Sequence, residues 1–215
     1  MTTQKVIIFD FDGTIADTVE ALVVIANRLA LEFGYPQITP EELALLRNLT
    51  SREIIKYSGI SVFKIPFLVK KVKGELKRKI PDLKPISGIQ ESLLVLKEKD
   101  YRLGIITSNS EENVKEFLKV NDLESIFEFI YSGVTIFGKT TIINNVLRQK
   151  QIKSSEAIYV GDETRDVEAS QKANIKVIAV TWGFNNEEVL SQQNPDFIVT
   201  HPSELLDVIQ RCEIR

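Results

Sequence analysis

The feature that most constrains this chain is the alternation of short apolar runs with longer segments of helical period. An uninterrupted apolar run is typical of a strand in a parallel sheet covered on both faces. The alternation therefore predicts an α/β fold with a doubly wound parallel sheet. The candidate strands are Lys5 to Asp10, Arg102 to Thr107, Phe127 to Tyr131, Ala157 to Gly161, Lys176 to Val180 and Asp196 to Val199. The helical segments include Gly88 to Lys97, Glu111 to Val120, Thr140 to Lys150 and Asp166 to Ala173.

One long interval between the first two strands contains helical patterns only. Apolar residues recur at helical spacing from Leu22 to Phe33 and again from Ile65 to Ile80. We therefore expect a helical cap domain over residues 17–85, inserted into an α/β core of residues 1–16 and 86–215. Residues 61–84 hold eight basic and two acidic side chains. This excess is typical of a solvated helix face, and it also fits a field that attracts an anionic substrate.

Scarce residue types exclude several kinds of chemistry. The chain has one histidine and one cysteine, His201 and Cys212, so Ser-His-Asp and Cys-His catalysis, Cys/His zinc sites and disulfides are excluded. The net charge of −3 argues against a polyanionic partner. The helical segment near residues 17–33 carries charges that a bilayer span would not contain. We expect a cytoplasmic protein that binds neither nucleic acid nor membrane.

Two carboxylates follow the first strand, in Asp10-Phe11-Asp12-Gly13-Thr14. Side chains at positions i and i+2 of a strand point to the same side, so both acids can face the crevice at the carboxyl edge of the sheet. Gly13 allows a tight exit from the strand, and Thr14 can return its hydroxyl to the turn. Two acids sharing one site suit a nucleophile that stays ionised beside an acid that keeps its proton.

This segment resembles the haloacid dehalogenase superfamily, whose phosphatases begin with Asp-x-Asp-Gly-Thr after a hydrophobic strand. The resemblance implies that Asp10 attacks phosphorus and that Asp12 is the general acid and base. The dehalogenases themselves lack the second Asp, so Asp12 indicates phosphate chemistry rather than halide chemistry.

Further motifs follow later strands, where a parallel sheet would bring them to the same edge. The resemblance makes Thr107 a phosphate ligand, assisted by the backbone N–H groups of Ser108 and Asn109. It also implies a lysine, Lys139, that neutralises Asp10 and the transferring phosphoryl group.

The segment Gly161-Asp162-Glu163-Thr164-Arg165-Asp166 matches the metal-binding pattern of the same superfamily. The resemblance makes Asp162 a Mg²⁺ ligand together with the Asp10 carboxylate and the Asp12 carbonyl. Asp166 would support the metal site or the lysine. Mg²⁺ prefers such oxygen ligands. The role of Glu163 is open, either as a spectator or as an additional contact near the metal.

A second pattern overlaps the lysine motif. Residues 133–140 match the nucleotide-binding loop G-x-x-x-x-G-K-[ST], which would predict a nucleotide-dependent switch. That loop must curl so that successive N–H groups cradle phosphate, and the β-branched and bulky residues of 134–137 suit such a turn poorly. Lys139 is also already required by the phosphatase pattern.

The inserted helical cap resembles the phosphoglycolate phosphatase and β-phosphoglucomutase branch of the superfamily. In its cap segment Leu49-Thr50-Ser51-Arg52-Glu53, the resemblance implies that Arg52 grips the non-reacting end of the substrate, with Arg47 in reserve. The chain is therefore predicted to be a Mg²⁺-dependent phosphatase acting on a small phosphorylated metabolite such as phosphoglycolate. A phosphomutase and a catalytically idle or nucleotide-binding regulator are the alternatives, and the sequence leaves monomer and dimer open.

Overall fold

Six parallel strands form one sheet within the described part of the chain. A computed structural model describes residues 5–132 and 138–214. The strands are β1 (Val6–Phe9), β2 (Arg102–Ile106), β3 (Phe129–Tyr131), β4 (Ala157–Gly161), β5 (Lys176–Val180) and β6 (Phe197–Val199). Their order across the sheet is β3-β2-β1-β4-β5-β6, and every neighbouring pair is parallel.

The centre of the sheet is the point where the winding changes direction. Phe9 of β1 is in register with Ile105 of β2 on one side and with Val160 of β4 on the other. The chain adds β2 and β3 on one side of β1, and β4, β5 and β6 on the other. The predicted doubly wound parallel sheet is therefore confirmed. In such sheets ligands bind at the carboxyl ends of the strands beside this switch point.

Helices cover both faces of the sheet. Ile7 and Phe9 of β1 belong to one buried apolar cluster, and Val6 and Ile8 belong to the other. None of the helices in the described ranges combines the length and apolar character needed to cross a bilayer. The helices are α1 (Val19–Phe33), α2 (Pro40–Leu46), α3 (Ser51–Ser58), α4 (Ile65–Leu76), α5 (Ile89–Glu98), α6 (Glu111–Val120), α7 (Lys139–Gln149), α8 (Thr164–Lys172), α9 (Glu187–Ser191) and α10 (Leu205–Ile214).

The predicted strands differ from the observed ones mainly at their ends. Asp10 and Thr107, predicted as the last residues of their strands, lie just beyond them. Each still donates one backbone hydrogen bond to the neighbouring strand, Asp10 to Val160 O at 2.9 Å and Thr107 to Tyr131 O at 3.0 Å. The backbone leaves the sheet directly after these bonds, which frees both residues to contribute to the edge.

Five helices lie between β1 and β2, and the first four, α1 to α4, fall within residues 17–85, where the helical patterns predict them. The two chain segments that join them to the sheet run side by side: Asp17 N donates to Lys84 O at 3.0 Å, and Ile86 N donates to Ile15 O at 2.8 Å. The division into a core and a cap of residues 17–85 stays a prediction, and these paired segments lie at its boundaries.

The helices between β1 and β2 are packed less tightly than the sheet. The four residues of β1 are fully buried, whereas α3 contains no buried residue. An apolar cleft of about 470 Å³ lies between α1, α3 and α4. The α3 helix begins with a capping box in which Thr50 and Glu53 bond each other's backbone, so its start is well defined despite this sparse packing.

Candidate active site

The first strand ends in two carboxylates that have different partners. Asp10 is buried, and its Oδ1 accepts a hydrogen bond from Phe11 N at 2.9 Å. Its Oδ2 lies 3.0 Å from Nζ of Lys139. Asp12 lies in the following turn, where both of its carboxylate oxygens accept hydrogen bonds from the Asn109 side-chain amide at 3.1 Å. One acid is thus ion-paired, and the other is bonded to a neutral amide.

The surroundings of Asp12 suit a group that gains and loses a proton near neutral pH. Burial raises the pKa of Asp12 to about 7, and the negative charge of Asp10 adds to the rise, while the Asn109 bonds oppose it. The Asn109 Oδ1 accepts from Ser110 N at 2.8 Å and from the Asn113 amide at 2.9 Å, so its NH₂ end is directed to Asp12. An acid with this pKa can serve in turn as proton donor and acceptor.

Three buried carboxylates meet at the centre of this edge. Oxygen atoms of Asp10, Asp162 and Asp166 all lie within 4.8 Å of one another. Burial raises the pKa of Asp166 to about 6 and that of Asp162 well above its usual range, and the neighbouring acidic groups raise both further. Like charges this close are unfavourable unless a cation balances them. The all-oxygen donor set therefore fits a hard divalent cation.

The backbone closes tightly around Asp162. The Thr14 hydroxyl, expected to bond back to its own turn, instead donates to Asp162 Oδ1 at 2.6 Å. Phe184 N donates to the other oxygen at 2.7 Å. A side-chain carbon at Gly13 or Gly183 would overlap Asp162 Oδ2, and Gly13 also has a φ of 74° that favours glycine. Two glycines therefore permit this close approach.

Lys139 joins two of the three acids. It is buried as the first residue of α7, and its ammonium contacts both Asp10 and Asp166. The Tyr159 ring centre lies 5.4 Å from Nζ. Burial lowers the pKa of Lys139, but the two carboxylates outweigh this effect and raise it well above its usual range. The ammonium thus stays charged beside Asp10. Of the nucleotide-loop pattern, residues 133–137 lie outside the described residues.

The loop after β2 partly satisfies its own donors. Thr107 is buried, and its Oγ1 accepts a hydrogen bond from Asn109 N at 3.0 Å. The Thr107 hydroxyl hydrogen remains able to donate, since a hydroxyl can accept and donate at once. The phosphate-binding roles of Thr107, Ser108 and Asn109 stay predictions. What the sequence reasoning missed is the side chain of Asn109, which reaches Asp12.

The two arginines predicted to bind substrate have other partners. Arg47 donates to Gly183 O at 2.8 Å and to Asn186 Oδ1 at 3.2 Å. Arg52 pairs with Glu168 Oε1 at 3.0 Å, and its side chain is 67% exposed. Their substrate-binding role stays a prediction, because both guanidinium groups bond these protein partners. Arg47 instead connects α2 to the loop after β5.

The lysines of the basic segment, residues 61–84, have different surroundings in the structure. Lys71 pairs with Glu32 and Lys77 with Glu112, which is typical of a solvated helix face. Lys73 is half-buried; burial lowers its pKa, and the charge of Asp12 raises it. One lysine of the segment therefore interacts electrostatically with Asp12. Its sequence signal is that it lies on the apolar stripe of α4, three residues before the buried Leu76.

A buried asparagine that the sequence reasoning missed connects the core to the inserted helices. Asn185 Oδ1 accepts from Thr164 N at 2.9 Å, at the start of α8. Its amide donates to Leu49 O at 3.0 Å and to Arg47 O at 3.1 Å. A polar residue shortly after an apolar strand of a parallel sheet is the available signal. Asn185 fixes the start of α8 relative to the segment before α3.

Comparisons with known proteins agree with this geometry. A family model described as haloacid dehalogenase-like hydrolase matches residues 7–180. Phosphoglycolate phosphatase of Synechococcus elongatus is 36% identical over 206 residues, covering 96% of this chain and 97% of that protein. Phosphoglycolate phosphatase of Aquifex aeolicus is 27% identical over 209 residues, with 96% and 97% covered. A solved structure described as a predicted phosphatase of Clostridium acetobutylicum has a TM-score of 0.83 at 24% identity, with 98% and 100% covered, and supports the fold.

Proposed function

The chain belongs to the haloacid dehalogenase-like hydrolases, and from this premise we propose that it is a Mg²⁺-dependent phosphatase acting through an aspartyl-phosphate on Asp10. The observation that carries the proposal is the pairing of unlike acids at one edge. The Asp10 carboxylate lies 3.0 Å from Lys139 Nζ, whereas the pKa of nearby Asp12 is raised to about 7 by burial and by Asp10. One acid is therefore suited to attack and the other to proton transfer.

Asp10 and Asp12 divide the reaction between them. A carboxylate oxygen of Asp10 forms a bond to phosphorus as the bond from phosphorus to the substrate oxygen breaks. Asp12 gives its proton to the leaving alkoxide. Asp12 then takes a proton from water as the water oxygen attacks phosphorus, which releases phosphate and restores the Asp10 carboxylate. The Asn109 bonds keep the Asp12 carboxyl oriented through both steps.

Lys139 and the β2 loop support the transferring group. The Lys139 ammonium balances negative charge on Asp10 and on the phosphoryl oxygens. The Thr107 hydroxyl and the Ser108 backbone N–H would donate to those oxygens without adding charge. Asp166 accepts from Lys139, which holds the ammonium beside the nucleophile.

Three positions would hold Mg²⁺: the carboxylates of Asp10 and Asp162 and the backbone carbonyl of Asp12, with Asp166 as support. The ion supplies charge that offsets the phosphoryl oxygens. One support is that oxygen atoms of the three buried carboxylates lie within 4.8 Å of one another. Another is that the pKa values of Asp162 and Asp166 are raised, mainly by burial.

The substrate in this proposal is a small phosphorylated metabolite, and phosphoglycolate is the first candidate. Similarity to phosphoglycolate phosphatase of Synechococcus elongatus supports this choice. Arg52, with Arg47 in reserve, would bind the non-reacting end of the substrate after the inserted helices close over the site. Lys73, whose pKa is lowered by burial and raised in part by the charge of Asp12, is a further cation that interacts with the site.

The test is turnover of a panel of phosphorylated metabolites with Mg²⁺, combined with acid quenching to trap phosphate on the protein. Wild type should release phosphate and yield a labelled peptide containing Asp10. Asp10→Asn should lose activity by at least about 1,000-fold because the amide is not a nucleophile. Asp122→Asn, an exposed position with a positive φ that Asn tolerates, is the matched control.

Other results would contradict the proposal in distinct ways. Transfer of the phosphoryl group from the protein to a hexose phosphate, instead of to water, would indicate a phosphomutase. Absence of turnover on the whole panel would indicate an idle or regulatory protein. Full activity of Asp10→Asn would exclude Asp10 as the nucleophile.

A further inference from the structure

Arg165 carries a guanidinium group whose donors are only partly used within the described residues. It lies in the first turn of α8, and its side chain is 16% exposed. Its Nη2 lies 2.5 Å from Glu163 Oε1, whereas its Nε is buried without a hydrogen-bond partner. A guanidinium presents five N–H donors in a fixed plane, and a buried donor left unpaired is destabilising. Arg165 therefore has donors available for a further acceptor.

The positive charge of Arg165 acts on the candidate active site. Burial raises the pKa values of Asp12 and Asp166, and the charge of Arg165 opposes the rise at both positions. Lys139, a buried cation of the site, is already paired with Asp10 and Asp166. Arg165 thus combines proximity to the acids with unused donors.

Arg165 also borders a small cavity between α3 and α8. The cavity measures about 170 Å³, and Ser51 and Arg52 of α3 line it together with Arg165 and Glu168 of α8. A water molecule takes about 30 Å³ in the liquid, so this volume suits a small acid group. The side chain therefore meets open space on the side where the helices between β1 and β2 approach the core.

Glu163 connects the orientation of Arg165 to those helices. Its Oε1 accepts from Arg165, and its Oε2 accepts from the Ser51 hydroxyl at 3.3 Å. Ser51 is the first residue of α3, so a displacement of α3 changes one of the two contacts that orient Glu163. This arrangement gives Glu163 a positioning role, which the sequence leaves open.

We propose that Arg165 is a specificity-determining residue that binds a carboxylate on the non-reacting end of the substrate, with Glu163 holding its guanidinium plane. The inference rests on the proposed phosphatase function and narrows it to small phosphomonoesters that carry a second anion. The planar guanidinium matches a carboxylate through two parallel hydrogen bonds, which a lysine cannot form. A phosphomonoester whose non-reacting end is uncharged leaves those donors unpaired and is turned over less efficiently.

The test compares two substrates that differ only at the far end. Phosphoglycolate carries the carboxylate, and 2-hydroxyethyl phosphate has a CH₂OH group in its place. Steady-state kinetics with Mg²⁺ are measured for wild type, Arg165→Gln and Arg165→Lys. Arg148→Gln is the matched control, since Arg148 is exposed and donates to the side chain of Asn145 on the same helix.

Wild type should prefer phosphoglycolate. Arg165→Gln should lower kcat/KM for phosphoglycolate by about 30-fold and for 2-hydroxyethyl phosphate by less than about 3-fold. Arg165→Lys should recover only part of the preference because it restores charge without the planar pair of donors. Arg148→Gln should leave both substrates unchanged.

Equal losses on both substrates would assign Arg165 a structural role and overturn the inference. Equal use of both substrates by wild type would also overturn it while leaving the phosphatase proposal intact. Turnover of neither substrate, nor of any other phosphomonoester, would instead contradict the proposed function. If circular dichroism shows that Arg165→Gln does not fold, the wild-type preference and Arg165→Lys decide the outcome.

Discussion

Asp10 and Asp12 carry the same side chain two positions apart, and their partners distinguish them. Asp10 lies beside the Lys139 ammonium, whereas Asp12 accepts hydrogen bonds from the neutral side-chain amide of Asn109. Burial and the charge of Asp10 then raise the pKa of Asp12 to about 7. Two chemically identical groups therefore have different electrostatic surroundings because of what each one touches.

Asn109→Ala tests this origin of the Asp12 pKa. The amide bonds favour the ionised carboxylate, so their removal should raise the pKa of Asp12 further. The alkaline limb of the kcat/KM profile, where the acid loses its proton, should move up by roughly one pH unit. The measurement is kcat/KM against pH at saturating Mg²⁺. The exposed Asn144→Ala is the control, and an unmoved limb in Asn109→Ala would contradict the assignment of Asp12 as the acid.

At the scale of elements, the loops after the strands approach the acids as closely as glycine allows. Side-chain carbons added at Gly13 and Gly183 would overlap Asp162, and one added at Gly161 would overlap Asp166. These glycines follow or end three different strands, β1, β4 and β5. The edge of the sheet thus forms a site because three backbone segments pack directly against carboxylates.

Gly183→Ala should disturb this packing. The added methyl overlaps Asp162 Oδ2, so the carboxylate or the loop must move, which should lower the free energy of unfolding by about 1–3 kcal/mol. Activity should fall by more than about 10-fold because metal ligands tolerate little displacement. Gly74→Ala in α4, which has open space around it, should instead stabilise by up to about 1 kcal/mol.

Urea unfolding and kcat/KM measure the two effects separately. Gly74→Ala controls for the general consequence of adding a methyl group to the chain. Equal behaviour of the two variants would show that the loop after β5 does not hold Asp162 in place.

For the whole molecule, the buried acids lower stability at neutral pH when no cation balances them. Unfolded aspartates ionise near pH 3.9, whereas burial raises the pKa of Asp12 to about 7 and that of Asp166 to about 6. Between these values the native state binds more protons than the unfolded state, so stability falls as the pH rises.

The metal-free protein should therefore melt about 4 °C higher at pH 6 than at pH 8. Saturating Mg²⁺ should raise the melting temperature more at pH 8, because the ion stabilises the ionised acids that are unfavourable without it. Calorimetry in chelator and in Mg²⁺ measures both quantities. Asp12→Asn should reduce the pH dependence in chelator, and an identical pH dependence with and without Mg²⁺ would contradict this account.

Much of the fold could be predicted because its signals are local. Apolar runs located all six strands to within two residues at each end, and helical spacing located the helices inserted between β1 and β2. The placement of Asp10 and Asp162 also follows locally, since both come just after strands and parallel strands end at a common edge. Residue order and periodicity suffice for these features.

Only the tertiary structure decided which side chains touch across that edge. The bond from Thr14 to Asp162 joins residues 148 positions apart, and that from Asn109 to Asp12 joins residues 97 positions apart. The basic segment of residues 61–84 contains several lysines. That Lys73 interacts with Asp12 depends likewise on how α4 packs on the core. Such contacts depend on the spacing of elements and on side-chain rotamers to within an ångström or so, and periodicity carries no information at that precision.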